Sequence, residues 1–282
     1  MFRLVEASAA VRGAVPDELV PVFWVITALG SAKFLMVGLS LAYWNDDTRR
    51  RELLTLVSVA FVAVTLTLAL KYGLDLPRPP ESVRRYPVEP SPVGFPSGHA
   101  IAATTIYGGL LVVFDRYRDP KLLSGTAALV VLIGLSRVVL GVHYLGDILA
   151  GFAVGLVMLG VLAVAMDRGP AVVFGLAVVL AVPAVVVTTD TGDAALALGG
   201  SVGGAAAALW RTPVGRVRST VERAVLNAGG LAFVGVSLAV VETVEALFVA
   251  AVAVNLVLVF GIVALPAAVG RLDALGTASA TE

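Results

Sequence analysis

Residues 122–166 read LLSGTAALVVLIGLSRVVLGVHYLGDILAGFAVGLVMLGVLAVAM. Two apolar runs, 122–141 and 144–166, meet at a polar break, and each has the roughly 20 residues that carry a helix across a bilayer. The break and its edges hold Ser136, Arg137, His143 and Asp147. A membrane helix does not accept such groups without a use for them.

The pattern continues in both directions. Apolar runs at 19–44, 52–73, 98–115, 122–141, 144–166, 170–188, 194–210, 224–242 and 246–268 predict nine helices. Composition agrees: 59% of the 282 residues are hydrophobic and 14% charged, with mean hydropathy +0.95. Soluble domains run nearer to about half apolar and about a quarter charged. The predicted fold is therefore all-α, a polytopic transmembrane bundle. It divides into an N-terminal segment, 1–18, read as a helix on the membrane surface; a core, 19–188; further transmembrane helices, 189–270; and a polar tail, 271–282. Residues 1–18 hold Arg3, Glu6, Arg12 and Asp17 with no long apolar stretch, which does not match a cleavable leader.

Charge adds direction. The loops at 45–51, 116–121, 167–169 and 211–223 are short and arginine-rich, whereas 189–193 and 243–245 carry no basic residue. The positive-inside rule places the first set in the cytoplasm and the 74–97 loop outside. Arg78, Arg84 and Arg85 in that loop oppose the rule unless they have separate work. Glu242 and Glu245 fall at the outer membrane edge. Basic and acidic residues balance at 20 each, so nothing points to a nucleic-acid partner. Cysteine is absent, which excludes disulfides, thiolate metal sites and cysteine nucleophiles. Gly151/Gly155, Gly199/Gly203 and Gly200/Gly204 have the spacing of close helix approach, either within the chain or in a homodimer.

Three polar clusters end on the same side of the membrane when helix directions alternate. They are Lys71 to Arg78-Pro79, Pro96-Ser97-Gly98-His99, and Ser136-Arg137 with His143 and Asp147. Lys71, Arg78 and Arg137 are three cations that call for an anion, and the arginine fork suits phosphate oxygens. Ser97 and Gly98 open a helix, where free N–H groups favour an anion. His143 and Asp147, four apart, would share a helix face, so the carboxylate can orient the imidazole for nucleophilic attack. His99 is then the general acid, and later the base that activates water. A metal site would need more carboxylates than these clusters offer and would be repelled by the cations, so no metal or other cofactor is expected.

The three clusters are similar to the K-x6-R-P, P-S-G-H and S-R-x5-H-x3-D motifs of the type 2 phosphatidate phosphatase (lipid phosphate phosphatase) superfamily. All three are complete and in order, over roughly residues 20–165. The resemblance implies a six-helix core, with about three helices added after it, and metal-independent hydrolysis of a phosphomonoester or pyrophosphate through a phosphohistidine. It implies catalytic roles for His143, His99 and Asp147 and substrate binding by Lys71, Arg78, Ser97, Gly98 and Arg137. The superfamily also contains soluble vanadium haloperoxidases, from which the apolar composition separates this chain. The expected substrates are phosphatidate, diacylglycerol pyrophosphate, phosphatidylglycerol phosphate or a polyprenyl pyrophosphate, met among membrane lipids on the extracytoplasmic side. Two alternatives are a phosphotransferase acting on an acceptor hydroxyl and a non-catalytic transporter or scaffold keeping an anion site. Arg84, Arg85 and Tyr86 are either headgroup contacts or a solvated loop face.

Overall fold

The computed structural model describes residues 2–85, 91–210 and 220–278, with side chains described as far as residue 270. Eleven α-helices appear among them: α1 (Val5–Gly13), α2 (Val20–Ala28), α3 (Ala32–Asn45), α4 (Arg50–Leu74), α5 (Gly98–Val113), α6 (Pro120–Val139), α7 (Leu145–Arg168), α8 (Pro170–Val187), α9 (Thr191–Leu209), α10 (Thr220–Val244) and α11 (Phe248–Ala278). Seven are long and apolar enough to cross a bilayer, or eight if the pair spanning 17–45 counts as one span. This is a multi-pass membrane protein. All nine predicted runs are helical, with two corrections. The run at 19–44 is broken at Leu29–Ser31 and bends by 46° into α2 and α3. The run at 98–115 gives a shorter helix of 16 residues, because Asp115 adopts φ +54 and the chain turns there.

Apolar packing does not stop at Gly169. One buried cluster joins Leu35 on α3, Leu53 and Leu56 on α4, Leu162 on α7, Phe174 on α8, Leu226 on α10 and Leu258 on α11. The small residues of α9 let its neighbours approach. A Cβ on Gly199 or Gly203 would strike the α11 backbone at 2.3 Å, and one on Gly200 or Gly204 would strike Phe61 or Phe174 at 2.2 Å. Gly151 and Gly155 are likewise covered by Ala100 and Thr104 on α5. All three glycine pairs serve contacts within the chain, the first of the two uses that their spacing allows.

The two ends of the bundle differ. One end gathers the C-termini of α4 and α6 and the N-termini of α5 and α7. There Lys33 at the start of α3 pairs with Glu242 near the end of α10. Glu245 lies against Gly192 at the start of α9. At the other end Arg49 bonds Asp115 at 3.0 Å, and Arg51 donates to the Met166 carbonyl at 3.1 Å. The residues 211–219, which include Arg211, Arg216 and Arg218, lie outside the described residues.

Residues 2–13 do not lie apart from the bundle. Ser8 is fully buried, and its Oγ accepts from Leu145 N at 2.8 Å, satisfying one of the free N–H groups at the start of α7. Arg3 O accepts from Gly146 N at 3.1 Å. A Cβ on Gly146 would lie 2.4 Å from Phe2 O, so this segment can dock only where that side chain is missing.

Candidate active site

The chain after α4 folds back on itself to deliver Arg78. Pro77 and Val93 form an antiparallel bridge, with Arg78 N donating to Pro92 O and Gly94 N to Leu76 O. Arg78 is buried. Its Nε donates to Ser91 O at 2.7 Å and its Nη1 to Val142 O at 3.1 Å. The guanidinium is therefore fixed from both sides before any ligand arrives.

His143 is placed by a turn, not by a helix. α6 ends at Val139, Gly141 takes φ +71, and the N–H groups of Val142 and His143 both bond the Arg137 carbonyl. A residue with a Cβ at 141 would be strained at that φ and would meet Val83 O at 2.2 Å. Because α7 begins at Leu145, His143 precedes the helix, and the shared helix face expected from the four-residue spacing is not how it meets Asp147. Asp147 stands at the third position of α7, where its Oδ2 accepts from Tyr144 N at 2.9 Å.

Nε2 of His143 lies 3.1 Å from Arg78 Nη1. Guanidinium can only donate, so Nε2 accepts and carries the lone pair. In the neutral ring the proton is then on Nδ1, which faces Asp147 Oδ2 at 3.4 Å. That is within ion-pair range but outside hydrogen-bond geometry. The physical reason is competition, since both Asp147 oxygens are already held. Arg3 Nε donates to Oδ1 at 2.8 Å and Arg3 Nη2 to Oδ2 at 2.9 Å, while Arg3 Nη1 reaches Pro77 O at 2.7 Å. Burial, and then the charges of Arg78, Arg137 and Lys71, push the His143 imidazole well below its ordinary value, with a smaller opposing pull from the Gly94 backbone. The ring is neutral at physiological pH.

One cavity of about 290 Å³ is lined by Lys71, Arg78, Gly98, His99, Arg137 and His143. Six of the eight residues expected from the motifs thus share one space. The other two stand behind its wall. Ser97 is fully buried as the N-cap of α5, its Oγ accepting from Ala100 N at 3.4 Å and its N–H donating to Asp147 O at 3.1 Å. Ser97 accordingly shapes the cradle without facing it. A Cβ on Gly98 would meet only Thr67 at an ordinary 3.4 Å, so open space lies above this helix start. Arg137 is held by Thr27 Oγ1 at 3.0 Å, which ties α6 to the short helix α2. His99 lies beside the bend between α2 and α3, where a Cβ on Gly30 would be 3.2 Å from its ring. Among the described residues, no three of His, Cys, Asp and Glu gather as a metal-ligating group.

Arg84 and Arg85 do not line the cavity. Arg84 donates to Pro79 O at 3.1 Å, and Arg85 to Val15 O at 2.9 Å while facing Asp17 at 3.6 Å. With Arg78 in the site, Arg84 bonded within its own loop and Arg85 tying the loop to the N-terminal segment, all three basic residues of the 74–97 loop have local partners. Tyr86 lies outside the described residues. Sequence reasoning missed Asp190 and Asp193, which line the same cavity, and the contacts of Arg3 and Thr27. None of these stands in a motif, and the only sign of the contacts was that Arg3 is one of few charges in the first 18 residues.

Known proteins resemble part of this chain. The sequence profile of the PAP2 superfamily matches residues 52–169, which is α4 through α7. Sphingosine-1-phosphate phosphatase 2 of Mus musculus is 35% identical over 139 residues, 47% of this chain and 38% of that protein. Phosphatidylglycerophosphatase B of Bacillus subtilis is 28% identical over 144 residues, 47% of this chain and 68% of that protein. Decaprenylphosphoryl-5-phosphoribose phosphatase of Mycobacterium tuberculosis is 34% identical over 108 residues, 38% of this chain and 57% of that protein. No solved structure gives a significant match. The matched stretch holds every motif residue that lines the cavity, and over it the chain is similar to the PAP2 superfamily.

Proposed function

We propose that the protein is an integral membrane phosphatase that hydrolyses a lipid phosphate or lipid pyrophosphate on the extracytoplasmic side of the cell membrane. The observation that carries this reading is the 3.1 Å contact between Arg78 Nη1 and His143 Nε2, inside a cavity that also holds Lys71, Arg137 and His99. An unprotonated ring nitrogen and the cations that would hold a phosphoryl group meet at one point. The relatives named above are phosphatases of lipid phosphates by name, which supports the same class. Arginine-rich loops at the opposite end support the outward orientation.

The reaction follows from the placement. Lys71, Arg78 and Arg137 take the non-bridging oxygens and stabilise charge spread over them in the transition state. The His143 Nε2 lone pair forms a bond to phosphorus as the bond from phosphorus to the leaving oxygen breaks. His99 gives that oxygen a proton. The now cationic His143 is stabilised by Asp147, toward which its Nδ1–H points. His99, deprotonated by the first step, then takes a proton from water as the water oxygen attacks phosphorus. Inorganic phosphate leaves, and the lone pair returns to Nε2. Each atom is accounted for without a metal.

The test is a rapid-quench pulse of labelled lipid phosphate on purified wild-type protein in the presence of chelator. Label is expected on His143 in a linkage that is acid-labile and base-stable. Label on another residue, or wild-type activity that chelator abolishes, would refute the mechanism.

A further inference from the structure

The cavity that holds the two histidines extends well past them. Its lining on α4 runs from Lys71 to Leu54, about 25 Å of helix at a rise of about 1.5 Å per residue. That is most of the roughly 30 Å hydrocarbon thickness of a bilayer. Polarity changes sharply along this length. Beyond Lys71 the wall is built from Leu39 on α3, Ala60 and Val64 on α4, Leu196 on α9, and Val259 and Ile262 on α11. Wall hydroxyls are mostly turned to backbone. Ser40 donates to Met36 O, Thr67 to Ala63 O and Tyr43 to Val263 O. Only Thr105 Oγ1 among the described wall hydroxyls lacks a partner.

We infer that this bore is the binding site for one extended hydrocarbon chain of the substrate, and that α9 and α11 exist in part to wall it. The inference rests on the phosphatase reading for the identity of the head, which would sit among Lys71, Arg78 and Arg137. The shape of the bore rests on the structure alone. Protein interiors pack densely, so a void of this size is not a neutral feature. Its wall offers water few partners, so an apolar filler suits it better than solvent. Continuity with the phosphate cradle selects the occupant: an anionic head at one end of a single long chain. Both helices lie outside the 52–169 stretch, whereas the α4 and α5 walls of the bore lie within it.

Two measurements on the full chain in detergent test this. The first compares phosphate release from octyl phosphate and hexadecyl phosphate by wild type and Val259→Phe. Filling a packed pocket discriminates by about 10- to 200-fold per misfit group. The hexadecyl to octyl ratio of kcat/KM is expected to fall at least about tenfold in the variant. A parallel loss on both substrates, or no change in the ratio, would overturn the bore. The second photolabels wild type with a hexadecyl phosphonate bearing a terminal diazirine and maps the adducts. Adducts on α4, α9 and α11 that hexadecyl phosphate displaces and hexadecanol does not are expected. Adducts confined to outward residues such as Val182 or Val249, or equally displaced by the alcohol, would overturn it. Labelling of the bore by a protein that cleaves neither ester would sink the phosphatase reading and leave the chain site standing.

Discussion

The N-terminal arm and the C-terminal helices both lie outside the matched core, and both reach its site, by opposite physical means. The arm enters with charge. Arg3 grips both oxygens of Asp147, stacks its guanidinium 4.5 Å from the Tyr144 ring and bonds the loop that carries Arg78. α9 and α11 enter with apolar surface and bring Leu196 and Val259 to the far side of the cavity. The difference teaches that segments outside a matched core can reach one cavity at different points. Under the proposed function the arm would bear on the reacting end through the carboxylate, and the helices on the chain end through shape.

The largest expected effect checks that the chemistry belongs to the core and to neither outlying segment. His143→Ala should lower kcat by about a thousandfold or more, as loss of a nucleophile does. Phosphate release that survives would move the reaction elsewhere and dissolve the comparison.

Arg3→Ala comes next. Asp147 would keep its place on Tyr144 N but lose the bidentate clamp, and a supporting partner of this kind is worth about 10- to 100-fold in activity. The pH profile separates a positioning role from a merely structural one. In wild type, burial and the cations hold His143 well below its ordinary value, so it stays neutral as pH falls through about 6.5. The acid limb of kcat/KM that belongs to this group therefore lies below that point. Without Arg3 the Asp147 charge is released toward the ring, imidazolium is favoured, and the limb should move to higher pH. Arg3→Lys keeps the charge without the fork and should fall between. Equal losses in both variants with an unmoved limb would mean that the arm only holds the fold together.

Gly146→Ala should reproduce the Arg3→Ala profile more weakly, because a methyl there collides with Phe2 O and the Arg3 backbone and lifts the arm without altering any charge. An unaltered profile would show that Arg3 finds Asp147 without the docked backbone. The smallest effect is expected from Lys33→Ala. Its pair with Glu242 is exposed on both sides, and such pairs contribute little. A chain-length preference altered by this change would mean that the outer ends of α3 and α10 also shape the substrate path.

Much of the fold is legible in the order of the residues. Helices crossing a bilayer are written as long apolar runs because no water is present to satisfy the backbone, so local hydropathy alone marks α4, α6, α7, α8 and α11. The motif spacings name six residues that share the cavity. The rest is illegible for identifiable reasons. Gly30-Ser31 and Lys33 interrupt the 19–44 run, and Ser31 caps α3, but this local signal does not say that the bend brings Thr27 to Arg137. The four-residue spacing of His143 and Asp147 suggests a shared helix face, but a turn through Gly141 holds one and a helix start holds the other.

The amino-acid sequence by itself determined that this chain crosses the membrane many times and gathers lysine, arginines and two histidines at one end, because both facts depend on neighbours within a few residues. Only the tertiary structure decided that Arg3 holds Asp147 across 144 positions of chain, and that α9 and α11 complete a bore begun by α3, α4 and α5. A long-range ion pair leaves no periodicity behind, and a cavity is the space between helices. Neither is a property of any one segment.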